Sequence, residues 1–313
     1  MGAYIVRRIL STVLVMVIVG VFVFLLLHIA PGDPAAIIAG DNTTPENIAA
    51  IHKRLGLDEP LIVQFGRWGW RLLHGNLGIS IFSDVPVMQL IEQRLQPTIS
   101  LTLLTMLFSI VVAVLIGVAA AWRAGGVIDR LVMGFAALGF SVPVFVVGYF
   151  MIYYLAYRLR WLPVQGYSPI DRGLWPWFSH LIMPTLALGM AYVALIARIT
   201  RTSMLEVLAE DYIRTAKAKG ASTGSMLLKH ALKNAGVPIA TVIGIGVALL
   251  ISGVVITETV FNIPGVGRLT VDAITNRDYP IIQGVMVVFS GAYVLINLGV
   301  DLVYTLIDPR IRY

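Results

Sequence analysis

The chain has 313 residues, 58% of them hydrophobic and only 13% charged, with a net charge of +6 and a mean hydropathy of +0.85. So little charge cannot clothe a water-soluble domain, a demand that disappears when hydrocarbon is the solvent. The absence of cysteine excludes disulfides, thiol nucleophiles and cysteine-held metal centres, and basic residues gathered in a few short loops point to membrane orientation, not nucleic acid.

A membrane span needs about 20 apolar residues. Six stretches qualify, at about 9–29, 99–122, 131–157, 181–200, 238–258 and 279–303. They predict an all-α, multi-pass protein forming one membrane domain over 1–313. The first stretch follows Arg7 and Arg8. It is longer than the apolar core of a cleaved signal, and Pro31-Gly32-Asp33-Pro34 supplies no small-x-small cleavage site, so it reads as a retained helix. Segment 30–98 is then extracytoplasmic. Thr44-Pro45-Glu46 opens a helix there with Ile48, Ile51 and Leu55 on one face, and Phe65, Trp68 and Trp70 suit the membrane interface.

The third stretch carries Pro143 in Ser141-Val142-Pro143, which predicts a kink that either eases packing or shapes a pathway. Segment 158–179, rich in Pro, Gly, Trp and Arg, returns on the outer side. Glu258 stands at the outer end of the fifth span, as a gate or an interfacial charge. Asn297 and Asp301 share a face of the sixth, with Asp301 close enough to the inner end to be satisfied by Arg or backbone donors. Ser141, Pro143, Glu258, Asn297 and Asp301 are the candidate pathway or gate positions.

Charge sets the orientation. With both termini cytoplasmic, the inner segments carry a balance of +8 and the outer ones −1, and Asp301 near the inner end of the last span brings the total to +6, as expected when Lys and Arg stay inside.

The longest inner segment, the loop 201–237, reads as two short helices. From Ser203 to Gly220, Leu205, Leu208, Tyr212 and Ala216 share one face, and Glu206, Glu210, Arg214 and Lys217 share the other. Glu210 precedes Arg214 by four residues, the favourable order. Gly220 ends this helix, and Ser222 caps a second of about 223–236. Such a hairpin suits docking to a soluble partner, or lies on anionic headgroups.

The segment resembles the EAA loop of ABC importer permeases at Ala216, Gly220 and Leu232, with Arg214 where that pattern has Glu. Asp211-Tyr212-Ile213-Arg214-Thr215-Ala216-Lys217-Ala218-Lys219-Gly220, followed by Lys229-His230-Ala231-Leu232-Lys233, is closely similar to the dipeptide and oligopeptide (peptide/nickel/glutathione) permeases of first-permease type. Glu258-Thr259-Val260-Phe261-Asn262-Ile263-Pro264-Gly265-Val266-Gly267-Arg268, Arg277-Asp278-Tyr279-Pro280 and the ending Asp308-Pro309-Arg310 agree. The resemblance implies a type I importer of the bacterial inner membrane. Its partners would be a second homologous permease, two cytoplasmic ATPases that hold ATP and Mg, and an extracytoplasmic solute-binding protein. It places ATPase coupling on Glu206, Asp211, Tyr212, Arg214, Thr215, Ala216, Lys217, Lys219, Gly220, Ser222 and His230. The solute is a di- or oligopeptide, or glutathione, a nickel chelate, a sugar or an opine.

No phosphate-binding loop with Lys-Ser/Thr occurs, so ATP hydrolysis is not expected of this chain. Nor does it carry His-Glu-x-x-His or Gly-x-Ser-x-Gly, and its five histidines are scattered. No cofactor, metal or enzymatic activity is expected. A secondary, ion-coupled transporter is the distant alternative, and would call for inverted repeats and several mid-membrane charges.

Overall fold

A computed structural model describes residues 2–29, 35–36, 44–55 and 58–307. The motif Pro31–Pro34 and the ending 308–313 lie outside the described residues. What is described is helical, apart from turns and one isolated antiparallel bridge between Ile79 and Pro86. The chain divides into two compact units. One comprises Met1–Leu95 with Arg268–Val294, the other Gln96–Gly267 with Leu295–Tyr313.

In the first unit, α1 (Gly2–Ile29) packs against α3 (Leu61–Leu73), while α2 (Pro45–Leu55) is the amphipathic helix expected after Thr44. The aromatics expected at an interface partly serve this packing. Phe65 meets Phe24 of α1 edge-on at 5.4 Å, and Trp68 lies 5.8 Å from the same ring. Trp70 points away, exposed, against His74. The unit also holds the first residues of α4 (Val87–Trp122), most of α11 (Val266–Asn276) and the first part of α12 (Tyr279–Ile307). A Cβ on Gly284 of α12 would lie 2.6 Å from Val87, so only glycine lets these helices approach. The buried Ser80 hydroxyl donates to Asp278 at 2.6 Å, tying the turn before α4 to the turn before α12.

In the second unit, α7 (Leu174–Leu208) is central and packs against α5 (Val127–Ser141), α6 (Val144–Met151) and α10 (Gly236–Val260). Small residues mark the crossings. A Cβ on Gly117 of α4 would meet Thr200 at 2.7 Å and the Ala197 carbonyl at 2.9 Å. One on Gly139 would meet Ala194 at 2.8 Å, and one on Gly253 would meet Leu188 at 2.7 Å. In lipid no hydrophobic force drives helices together, so this closeness supplies the dispersion energy instead. Leu101, Leu181, Met183, Leu188, Val254 and Ile263 fill the core between them.

Three expectations change. The kinked third span, 131–157, is a broken one: α5 and α6 meet at 103°. Val142 is extended (φ −97°, ψ 120°) because the residue before proline is driven out of the helical region. Past Met151 the helix widens into a π-helical stretch, Ile152–Arg158. Second, α4 and α7 are 36 and 35 residues long, beyond the expected 99–122 and 181–200. At about 1.5 Å per residue each exceeds a hydrocarbon core of about 30 Å by some 20 Å. Polar side chains end a hydrophobic run without ending a helix, so residues 201–208, assigned to the loop, are the last turns of α7. Third, the helix expected from Ser203 to Gly220 is two helices, broken at Ala209 and Glu210.

Among the described residues, four helices are long and apolar enough to cross a bilayer: Val87–Trp122, Leu174–Leu208, Gly236–Val260 and Tyr279–Gly299. A fifth is gained if the bent pair counts as one span.

Candidate functional site

The hairpin following α7 is built from local signals. Glu210 is extended (φ −70°, ψ 146°) and precedes α8 (Asp211–Ala218), whose first-turn Asp211 complements the helix dipole. At its end Gly220 takes φ +83°. The Gly220 N–H donates to the Lys217 carbonyl at 3.0 Å and the Ala221 N–H to that of Ala216 at 3.1 Å. This pair of bonds is a Schellman motif, which needs a left-handed residue and favours glycine there. No atom stands within 4 Å of where a Gly220 Cβ would be, so the requirement is one of backbone conformation alone. Ser222 then accepts a bond from the Ser225 N–H at 3.3 Å, opening α9 over 223–234, which is π-helical from Met226 to Ala231.

The break at 209–210 shifts the register. Ile213 is the buried residue of α8, whereas Tyr212, expected on the apolar face, is 42% exposed. Ile213 joins Met204, Leu227, Ala231, Ala235 and Ile239 in a cluster that includes Ala121. The hairpin is thereby packed onto the ends of α4, α7 and α10. The expected Glu210–Arg214 pairing gives way to Arg214 with Asp211 at 3.4 Å, both highly exposed, a contact of little energetic weight.

Six of the sequence-selected residues, Tyr212, Thr215, Ala216, Lys219, Gly220 and His230, surround one surface hollow of about 430 Å³ between α8 and α9. Glu206, Asp211, Arg214 and Lys217 are exposed on the flanking turns, and Ser222 is the helix cap. The second set is placed residue by residue. The Ser141 hydroxyl bonds to the Ala137 carbonyl of its own helix at 3.0 Å, and Pro143 forms the break. Asn297 is half-buried, and the side chain of Asp301 lies outside the described residues.

Glu258 is fully buried. Its Oε1 accepts a 2.6 Å bond from the Thr98 hydroxyl, whose oxygen accepts the Val266 N–H at 2.8 Å. The carboxylate occupies the space a side chain on Gly265 would need: a Cβ there would stand 2.0 Å from Oε1, and one on Gly267 2.9 Å from Oε2. Asn262, left-handed at φ +53°, lets the chain turn off α10 with the Ile263 N–H returning to the Glu258 carbonyl at 2.8 Å. The Glu258 side chain is thus enclosed between the end of α10 and the turn that follows it.

A further pair escaped the sequence. Arg201 of α7 grips Asp129 of α5 through both carboxylate oxygens, with Nη2 to Oδ2 at 2.7 Å, and Oδ2 also accepts the Gly125 N–H at 2.8 Å. Asp129 is buried, while Arg201 keeps partial access to solvent. The sequence holds no local sign of a partnership across 72 positions.

Comparison with known proteins completes the picture. Residues 113–313 match the family model described as binding-protein-dependent transport system inner membrane component, and residues 1–102 match its N-terminal counterpart. The chain is 64% identical over 313 residues to a probable peptide ABC transporter permease protein of Sinorhizobium fredii, covering 100% of both chains. It is 42% identical to the dipeptide transport system permease protein DppB of Alkalihalophilus pseudofirmus, again over 100% of both. It is also 42% identical to the glutathione transport system permease protein GsiC of Salmonella typhimurium, over 99% of each. Among solved structures, the MetNI methionine ABC transporter in inward-facing conformations contains a chain sharing the fold, with a TM-score of 0.59 at 18% identity, over 71% of this chain and 97% of that one. Together, the two family matches and the full-length relatives make this chain a member of the binding-protein-dependent transport system inner membrane components, and a peptide-type ABC permease.

Proposed function

We propose that the chain supplies half of the translocation pathway of an inner-membrane importer for small peptides, glutathione among them, and that its 211–234 hairpin meets the ATPase. Three relatives carry peptide, dipeptide or glutathione transport in their names, which supports that solute class. The pathway is shared with a second, homologous permease, and a solute-binding protein delivers the peptide from outside. The chain crosses the bilayer six times as one permease domain, with α1 as the first span and the bent pair α5–α6 as the third. Both termini are cytoplasmic, in keeping with the surplus of Lys and Arg on that side. ATP and Mg are held by two separate cytoplasmic subunits.

The observation that carries this reading is the hairpin. It is polar outside, turned at a left-handed glycine, and fastened beneath by Ile213, Leu227 and Ala231 to the helices that cross the membrane. A soluble subunit that moves it moves α4, α7 and α10 with it. Such coupling is a difference in contact energy between two states. Reconstitution into vesicles with and without the ATPase subunits tests it. Peptide uptake should require the ATPases and ATP. Uptake driven by a proton or sodium gradient with the ATPases absent would defeat the proposal and favour an ion-coupled transporter.

A further inference from the structure

We infer that the hollow between α8 and α9 is the seat of a carboxylate-bearing side chain presented by the ATPase subunit. This rests on the proposed docking of the hairpin and adds what sits in it and by what chemistry. Among the residues that line the hollow, Lys219, His230 and Tyr212 carry a cation or a donor. The floor is kept low by Ala216, Gly220 and Ala221, and no acidic side chain lines it. The two amides at the bend, of Gly220 and Ala221, are already spent on Lys217 and Ala216. The Thr215 hydroxyl is likewise spent on the Asp211 carbonyl at 3.0 Å. Backbone donors therefore do not make the site, and an incoming anion must be met by side chains, with Lys219 supplying the charge. Around the hollow, segment 211–234 carries Arg214, Lys217, Lys219, Lys229 and Lys233 against Asp211 alone, a field that draws an acidic surface toward it.

Size and rigidity agree. About 430 Å³ is many times the roughly 30 Å³ of a water molecule and admits a side chain together with the turn that carries it. The Schellman turn and the buried cluster beneath hold the hollow open before anything arrives, which lowers the ordering cost of binding. An anionic lipid headgroup shares the same charge. A continuous anionic bilayer surface would also meet Glu206, Glu210 and Asp211, all exposed where α7 passes into α8, whereas a single side chain entering the hollow need not.

The chain contains no cysteine, so single cysteines report cleanly. In the complete transporter, Ala221→Cys probes the hollow and Leu228→Cys, at an exposed residue of α9, probes the hairpin's outer surface. With the ATPase subunits present, a maleimide should label both at least about tenfold more slowly than in membranes containing the permeases alone. Labelling of Ala221→Cys unchanged by the ATPases, with Leu228→Cys protected, would leave docking intact and overturn the occupied hollow. Loss of protection at both would overturn the docking reading itself. Lys219→Gln should weaken ATPase retention about tenfold near physiological salt, and Lys219→Arg should restore it; equal retention by all three forms would overturn the carboxylate. Protection in nanodiscs of zwitterionic lipid supports the protein occupant. Protection that appears without ATPases and needs anionic lipid assigns the hollow to a headgroup and overturns the proposal.

Discussion

Gly265→Ala is a minimal change with a large expected cost. A Cβ at Gly265 would stand 2.0 Å from Oε1 of Glu258 and 2.2 Å from its Cδ, far inside van der Waals contact. Gly265 is not among the glycines with a left-handed backbone, so no conformational penalty adds to the clash. The carboxylate must therefore move, and its 2.6 Å bond to Thr98 is lost while the acid stays buried. Overpacking together with the loss of a buried hydrogen bond costs about 2–5 kcal/mol. At about 2–4 °C per kcal/mol, the midpoint of thermal unfolding should fall by roughly 4–20 °C. Glu258→Ala removes the obstacle. In that background Gly265→Ala should cost no more than about 1 kcal/mol, so the two substitutions should be strongly non-additive. Thermal unfolding of the detergent-solubilised transporter, wild type against both single variants and the double, closes the cycle. Additive losses would refute the contact, because two residues that do not compete for one space have no reason to interact.

Arg201→Gln leaves the buried Asp129 with the Gly125 N–H but without its ion partner and should cost about 1–3 kcal/mol, whereas Arg201→Gln with Asp129→Asn should recover much of it; the same unfolding assay decides. Gly220→Val should cost about 1–2 kcal/mol for a left-handed residue and uncouple ATP hydrolysis from uptake. Gly220→Asn, which tolerates that conformation, should be milder, and indistinguishable uptake by all three forms would count against the turn. Gly117→Ala meets the Ala197 carbonyl, which is fixed in a helix, whereas Gly253→Ala meets the ends of two side chains, Leu188 at 2.7 Å and the Tyr192 hydroxyl at 3.2 Å. The first should therefore lower the unfolding midpoint more than the second.

The apolar runs were legible because lipid imposes one simple demand on length. Gly220 and Ser222 were legible because caps are written in residue types that act on their immediate neighbours. The break at 209–210 was not, since Ala209 and Glu210 are both sound helix formers and only the tertiary burial of Ile213 selects the new register. The partners of Asp129 and Glu258 were hidden for a different reason. Arg201 lies 72 positions away and Thr98 160, and no local pattern records a meeting made by packing helices. Pro143 was seen, but whether a proline bends a helix or ends it depends on what the neighbouring helices will satisfy.

The crowding around Glu258 also limits how this region can drift. While the acid keeps its place, Gly265 has no neutral neighbour to mutate to, and Gly267 has scarcely more room. A lineage that first trades Glu258 for something smaller opens space for a side chain at Gly265, though not at Gly267, which the Val255 backbone still closes, and once that side chain arrives the acid cannot return. The order of substitution then matters as much as their sum, so an ancestral and a derived form can each be stable while the direct path between them is closed.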